Sequence, residues 1–79
     1  MTRIESVVPQ DGYKLNIILE NGSSIVLNLE DRLDTVRFKL LADKVFFESV
    51  TTDGNYLRWD NKIEIAINEV FQLAQKDKQ

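Results

Sequence analysis

The sequence contains no histidine and no cysteine, and these two absences restrict its chemistry. Without histidine it lacks the usual general base, the Ser–His nucleophile pair and the commonest zinc ligand. Without cysteine it has no thiolate, no iron–sulfur site and no disulfide to support the core. The three glycines fall in three separate turns, so there is no glycine-rich phosphate loop. We therefore predict that the protein is not an enzyme, and we assign it no catalytic residue, metal ligand or cofactor.

Long apolar runs and an excess of positive charge are also missing. No apolar run reaches the ~18 residues of a membrane span, and the first residues lack the apolar region of a signal peptide. The net charge of −3 argues against a dedicated nucleic-acid binder. A length of 79 residues predicts one domain over residues 1–79, with a frayed tail over residues 75–79. We expect a cytoplasmic location without membrane partners.

The clearest positive signal is a β-hairpin between Tyr13 and Leu29. Asn-Gly between two apolar runs is a strong hairpin signal, and a three-residue loop over Glu20–Gly22 brings the apolar alternation into register. A two-residue turn would mix polar and apolar groups on one face. The three-residue loop collects one set of side chains on one side: Tyr13, Leu15, Ile17, Leu19, Ile25, Leu27 and Leu29.

The opposite side of this hairpin carries Ile18 and Val26 as diagonal neighbours among polar residues. One interpretation is a partly covered face of the sheet. The other is a small apolar contact patch for a partner protein or for a second copy of the chain.

Further strands are predicted on both sides of the hairpin. A first strand over Ile4–Val8 should stop at Pro9, because proline has no amide to donate to a ladder. Later strands, separated by turn residues at 53–55 and 60–61, are expected over Glu48–Thr52, Tyr56–Trp59 and Ile63–Ile65.

Helical periodicity occurs in two places. Between Glu30 and Phe47 the apolar spacing predicts short helical turns, with Asp43 capping the second. Near the C-terminus the spacing predicts a helix capped by Asn68. Its core-facing stripe comprises Ile67, Val70, Phe71 and Ala74. The sequence thus predicts an α+β fold: an antiparallel β-meander sheet with short middle helical turns and a C-terminal helix packed on one face.

Two aromatic residues are candidates for a functional surface. Because Phe46 and Phe47 are adjacent, only one should point fully inward, and Phe46 is our candidate exposed anchor. Trp59 is either a buried anchor whose indole N–H needs one partner or a stacking surface for a ligand. The predicted interaction surface therefore comprises Ile18, Val26, Phe46 and Trp59.

Carboxylates surround the turn that follows Trp59. Asp53, Asp60 and Glu64 could converge on Mg²⁺ or Ca²⁺, although turns also favour aspartate for backbone hydrogen bonding. We keep small-ligand or metal sensing by the Trp59–Glu64 loop as an alternative function.

The order of several short motifs resembles a known family. The motifs are Leu19-Glu20-Asn21-Gly22, Phe38…Leu41-Ala42-Asp43, Phe47-Glu48-Ser49-Val50, Leu57-Arg58-Trp59-Asp60-Asn61 and Glu64-Ile65-Ala66. Over nearly its whole length the chain resembles the small bacterial family catalogued as domain of unknown function 2442. It departs from that family at Lys62, where glycine is usual, at Glu64, where aspartate is usual, and at Ile67, often proline.

The resemblance implies a small α+β domain with no established catalytic residues. Free-standing members look similar to small proteins encoded beside another short partner, a pairing suggestive of toxin and antitoxin. We therefore expect a non-enzymatic protein-interaction module, the antitoxin-like member of a two-gene pair, with a small protein partner encoded nearby. A homodimer is compatible with this expectation.

Overall fold

The computed structural model describes residues 2–76. The strands are β1 (Ile4–Gln10), β2 (Lys14–Leu19), β3 (Ser24–Asn28), β4 (Thr51–Thr52), β5 (Tyr56–Trp59) and β6 (Ile63–Ala66). The helices are α1 (Lys44–Glu48) and α2 (Ile67–Lys76), and 3₁₀ turns over Glu30–Arg32 and Lys39–Ala42 precede α1. All neighbouring strands are antiparallel, which confirms the predicted α+β class. No helix within residues 2–76 is long and apolar enough to cross a membrane.

The strands are divided between two sheets, β1-β2-β3 and β4-β5-β6, where a single meander was expected. After β3 the chain leaves the first sheet through the 3₁₀ turns and α1, and it returns at β4 close to β1. The Ile4 amide donates to the Gly54 carbonyl at 2.8 Å, and the Arg3 guanidinium donates to the Asp53 carbonyl at 2.8 Å. β4 contains only Thr51 and Thr52 and pairs with β5, so the predicted strand over Glu48–Thr52 is wrong at its start, where Glu48 ends α1.

The hairpin of β2 and β3 has the predicted register. Leu15 lies opposite Leu27 and Ile17 opposite Ile25, and the Leu19 amide donates to the Ser23 carbonyl at 2.8 Å. The loop closes through the Gly22 amide, which donates to the Leu19 carbonyl at 3.0 Å. Gly22 has φ 91°, a conformation that glycine adopts without the steric cost of a Cβ. The three-residue loop is therefore confirmed.

The prediction that β1 stops at Pro9 is wrong, since the strand continues to Gln10. The Leu19 amide points toward β3. Because backbone groups alternate in direction along a strand, those of Leu15 point toward β3 as well. Pro9 lies opposite Leu15, so its nitrogen points away from β2, where no ladder bond is needed. An edge strand accommodates proline for this reason, and the sequence alone did not identify β1 as an edge.

One hydrophobic core joins the inner faces of both sheets to the helices. Trp59 is fully buried, and its indole Nε1 donates to the Phe47 carbonyl at 2.9 Å. The two rings stack with centroids 6.4 Å apart. Phe47 is buried and Phe46 half-buried, as the adjacency of the two residues predicted. The Asp43 side chain accepts from the Val45 amide at 3.0 Å, which confirms Asp43 as the cap of α1.

The helix α2 differs from its prediction at both ends and on one face. It begins at Ile67, whose amide donates to the Asn55 carbonyl at 2.9 Å, so Asn68 lies inside the helix and is not its cap. Val70 is buried, but Phe71 is 41% exposed and lies outside the core. The helix extends to Lys76, into the predicted frayed tail, and residues 77–79 lie outside the described residues.

Candidate interaction surface

The outer face of the first sheet is nearly free of charge. Val8, Asn16 and Val26 form one row across the three strands, and Ser6, Ile18 and Ser24 form the next. Val8 and Val26 are about half exposed. The paired rows of this face carry a single ionic group, that of Lys14, and comprise Ser6, Val8, Gln10, Lys14, Asn16, Ile18, Ser24, Val26 and Asn28. The other charged residue of these strands is Glu5, which is exposed at the bulge of β1. In a chain with 29% charged residues, such a face is unusually neutral.

The second feature is the free side of β3, which we call the β3 edge and define by Ser24, Val26 and Asn28. The Ser23 carbonyl accepts from Leu19 of β2, and the Leu29 amide donates to Tyr13, the residue before β2. Alternate residues of β3 therefore point their backbone groups away from β2. Within residues 2–76, no backbone hydrogen bond joins these outward groups to another strand or helix. The β3 edge is therefore able to accept a further strand.

A groove of about 260 Å³ runs between the β3 edge and α2. Its lining contains no charged residue and comprises Ser24, Ile25, Val26, Phe71, Ala74 and Gln75. Phe71 gives this groove an exposed aromatic ring. Sequence reasoning missed this role because Phe71 has the spacing of a core residue, while Ile67 and Val70 already fill the buried stripe.

Phe46 lies on a different part of the surface from Ile18 and Val26. It lines an open depression of about 600 Å³ together with Val45, Ser49 and Thr51. The carboxylates of Asp43 and Asp60 complete the lining, so this depression carries charged groups, which the groove beside β3 lacks. The structure thus brings Ile18 and Val26 together, as predicted, and leaves Phe46 apart from them.

The placement of Trp59 on the interaction surface was wrong, because its side chain is fully buried. The indole N–H is bonded to the end of α1 and the ring fills the core, so of the two roles considered the structural one is correct. A lone tryptophan in a small domain is a large apolar group, and its burial area outweighs the value of exposing it.

Two of the carboxylates predicted to surround the Trp59–Glu64 loop, those of Asp53 and Glu64, interact with protein groups. Arg58 Nε donates to a Glu64 oxygen at 2.6 Å and Arg58 Nη2 lies 3.4 Å from Asp53. Asp53 also accepts from the Asn55 amide at 2.9 Å, and this bond is the main reason that the pKa of Asp53 lies below its ordinary value. The predicted turn role of Asp53 is therefore confirmed. Within residues 2–76, no group of three Asp or Glu residues could hold a metal ion.

An ion pair connects the segment between β3 and α1 to α2. Arg37 donates to both carboxylate oxygens of Glu69, one of them at 2.9 Å, and to the Glu64 carbonyl at 2.8 Å. The bond from Arg37 is the main cause that lowers the pKa of Glu69 below its ordinary value. The same bond raises the pKa of Arg37. Arg37 therefore orients α2, whose position defines the groove.

Comparison with known protein families, curated proteins and solved structures finds no match for this chain. The resemblance to the domain of unknown function 2442 family therefore stays a prediction. The function has to be argued from the β3 edge, the groove and the outer face themselves.

Proposed function

We propose that the chain is a non-enzymatic protein-interaction module that binds its partner by strand addition at the β3 edge. The observation that carries this proposal is an uncharged edge strand, with outward backbone groups, beside a groove that contains an exposed phenyl ring. Proteins usually protect such edges with charge, proline or a covering element, because an open edge is a template for pairing. β1 carries proline at position 9, whereas β3 carries neither proline nor a charged residue.

Strand addition would use each part of this surface. Main-chain hydrogen bonds along the β3 edge supply affinity, and the groove supplies selectivity through alternate side chains of the incoming strand. Val26 and Phe71 supply apolar area on the two sides of that strand. The family resemblance adds the hypothesis that the partner is a small protein encoded nearby and that this chain is the antitoxin-like member of the pair.

The ligand- or metal-sensing alternative has no comparable support. Trp59 is buried, so its ring offers no stacking surface. Glu64 and Asp53 both interact with Arg58, so a metal ion would have to replace this pairing.

The test uses two variants that place the same charge at different exposed valines. Val26→Lys puts an ammonium group beside the β3 edge, and Val45→Lys puts one on α1, where the side chain is 79% exposed. Each chain serves as bait in a lysate of the native host and in co-expression with the products of neighbouring reading frames. We expect the wild type and Val45→Lys to retain a stoichiometric partner, whether a second copy of the chain or a different protein, and Val26→Lys to lose it. A partner that Val26→Lys retains equally well would place the contact elsewhere and contradict the proposal.

A further inference from the structure

The pattern of polar and apolar residues along β3 is the same in both directions. Its residues are Ser24, Ile25, Val26, Leu27 and Asn28, so polar ends and two apolar positions are arranged symmetrically around a central valine. A strand with this pattern is complementary to an antiparallel copy of itself. In such a pair Ser24 faces Asn28 of the second copy, Ile25 faces Leu27 of the second copy, and each Val26 faces the other.

The outward backbone groups of β3 have the right phase for this pairing. Ser24, Val26 and Asn28 all direct their N–H and C=O groups away from β2. With Val26 on a two-fold axis, these residues fall at hydrogen-bonded positions of the new ladder, which closes about six main-chain hydrogen bonds. A register shifted by one residue would pair groups that already bond to β2.

Charge also favours a second copy over a charged partner. Like charges placed opposite one another across a ladder are destabilising, and self-pairing of β3 brings none together because the strand and the groove contain no charged residue. The same neutrality offers no ion pair to a strongly basic or acidic strand. Phe71, Ala74 and Gln75 of α2 lie beside the edge, so they would be covered as the sheets join.

From these observations we propose that the occupant of the β3 edge is a second copy of this chain, paired through β3 around a two-fold axis at Val26. This inference rests on the proposed function and names its partner. The product is a continuous six-stranded sheet, with the neutral outer faces of the two copies side by side. A five-residue strand spans only ~17 Å, so its pairing provides less than the ~800 Å² per partner of a standard interface, and we expect micromolar affinity.

The experiment is sedimentation velocity of the purified chain over a concentration range of roughly 1 to 500 μM, which brackets micromolar dissociation constants. We expect the wild type and Val45→Lys to shift from monomer to dimer together. Val26→Lys and Val26→Glu should each dissociate at least ~10-fold more readily, because each places like charges opposite one another on the axis. An equimolar mixture of these two variants should recover the dimer, since lysine then faces glutamate.

Each alternative result has a definite meaning. A wild type that stays monomeric at every concentration overturns the inference, and so does a dimer that both charged variants leave intact or that their mixture fails to recover. If the wild type is monomeric but captures a different protein that Val26→Lys loses, the proposed strand addition stands and only its self-pairing is wrong. Circular dichroism of each variant verifies that the fold is retained, as we expect for a position that is 56% exposed.

Discussion

Replacement of Trp59 by phenylalanine removes the hydrogen bond that joins the second sheet to α1. The indole Nε1 donates to the Phe47 carbonyl at 2.9 Å, at the C-terminal end of a helix where carbonyls lack an intrahelical partner. Trp59→Phe keeps an aromatic ring in the core but leaves this buried carbonyl unpaired, at a cost of about 1–3 kcal/mol. The smaller ring also leaves a partial cavity, which costs about 1–2 kcal/mol more.

The expected loss of unfolding free energy is therefore about 2–5 kcal/mol. A chain of 79 residues has a total stability of only about 4–12 kcal/mol at ~0.05–0.15 kcal/mol per residue. With a urea dependence of roughly 1.5 kcal/mol/M, a loss of 3 kcal/mol lowers the unfolding midpoint by about 2 M. The variant should therefore be strongly destabilised and partly unfolded even at moderate urea concentrations.

The measurement is urea unfolding followed by far-ultraviolet circular dichroism, because the variant has no tryptophan fluorescence. Tyr56→Phe serves as the control, since Tyr56 lies on the same strand but is 40% exposed, and we expect it to change stability by less than about 0.5 kcal/mol. If Trp59→Phe also stayed within about 0.5 kcal/mol of the wild type, the reasoning on the buried carbonyl would be refuted.

Four further variants test the hairpin, the helix cap and the ion pair by the same unfolding assay. Gly22→Ala should lower the free energy of unfolding by about 1–2 kcal/mol through the positive φ of this position. A Cβ at Gly22 meets no atom within 4 Å, so no steric clash adds to this loss. An unchanged unfolding midpoint would contradict the assigned loop. Asp43→Ala should lose about 0.5–2 kcal/mol and Asp43→Asn clearly less, because asparagine also caps helices; equal losses would argue against capping. Glu69 has a lowered pKa when folded, so its stabilisation is present above the ordinary glutamate pKa and is lost as the pH falls through the lowered value. Glu69→Gln should therefore cost up to ~1 kcal/mol at neutral pH, a figure reduced for the partial exposure of Arg37, and nothing at low pH; a pH-independent loss would be inconsistent with the ion pair.

The parts of the fold that the sequence predicted well are those encoded by neighbouring residues. Asn21-Gly22 and the alternation on either side of it determine the hairpin, and Asp43 at the start of a helical turn determines the cap. The parts that failed depend on distant contacts. The separation into two sheets is set where Ile4 meets Gly54, fifty positions apart, and no local pattern encodes it.

The candidate surface could likewise be predicted from the sequence only where it depends on neighbouring residues. Alternation placed Ile18 and Val26 on the outer face, because side-chain direction in a strand follows directly from the register. The helical period placed Phe71 in the core but carries no information on how wide the buried stripe is. The open or closed state of a strand edge depends on which strands are outermost, so the accessible groups of β3 become visible only in the assembled sheet.

The presence of proline at one margin of the first sheet also limits how far assembly can proceed. Pro9 lacks an N–H on the side of β1 that faces away from β2, and the start of that strand is already bonded to Gly54. Repeated addition of copies along this sheet requires two competent margins on every subunit, whereas the proposed two-fold contact would consume the β3 edge of both copies. If the copies pair as proposed, growth through the first sheet terminates after one association step without any charged residue on β3.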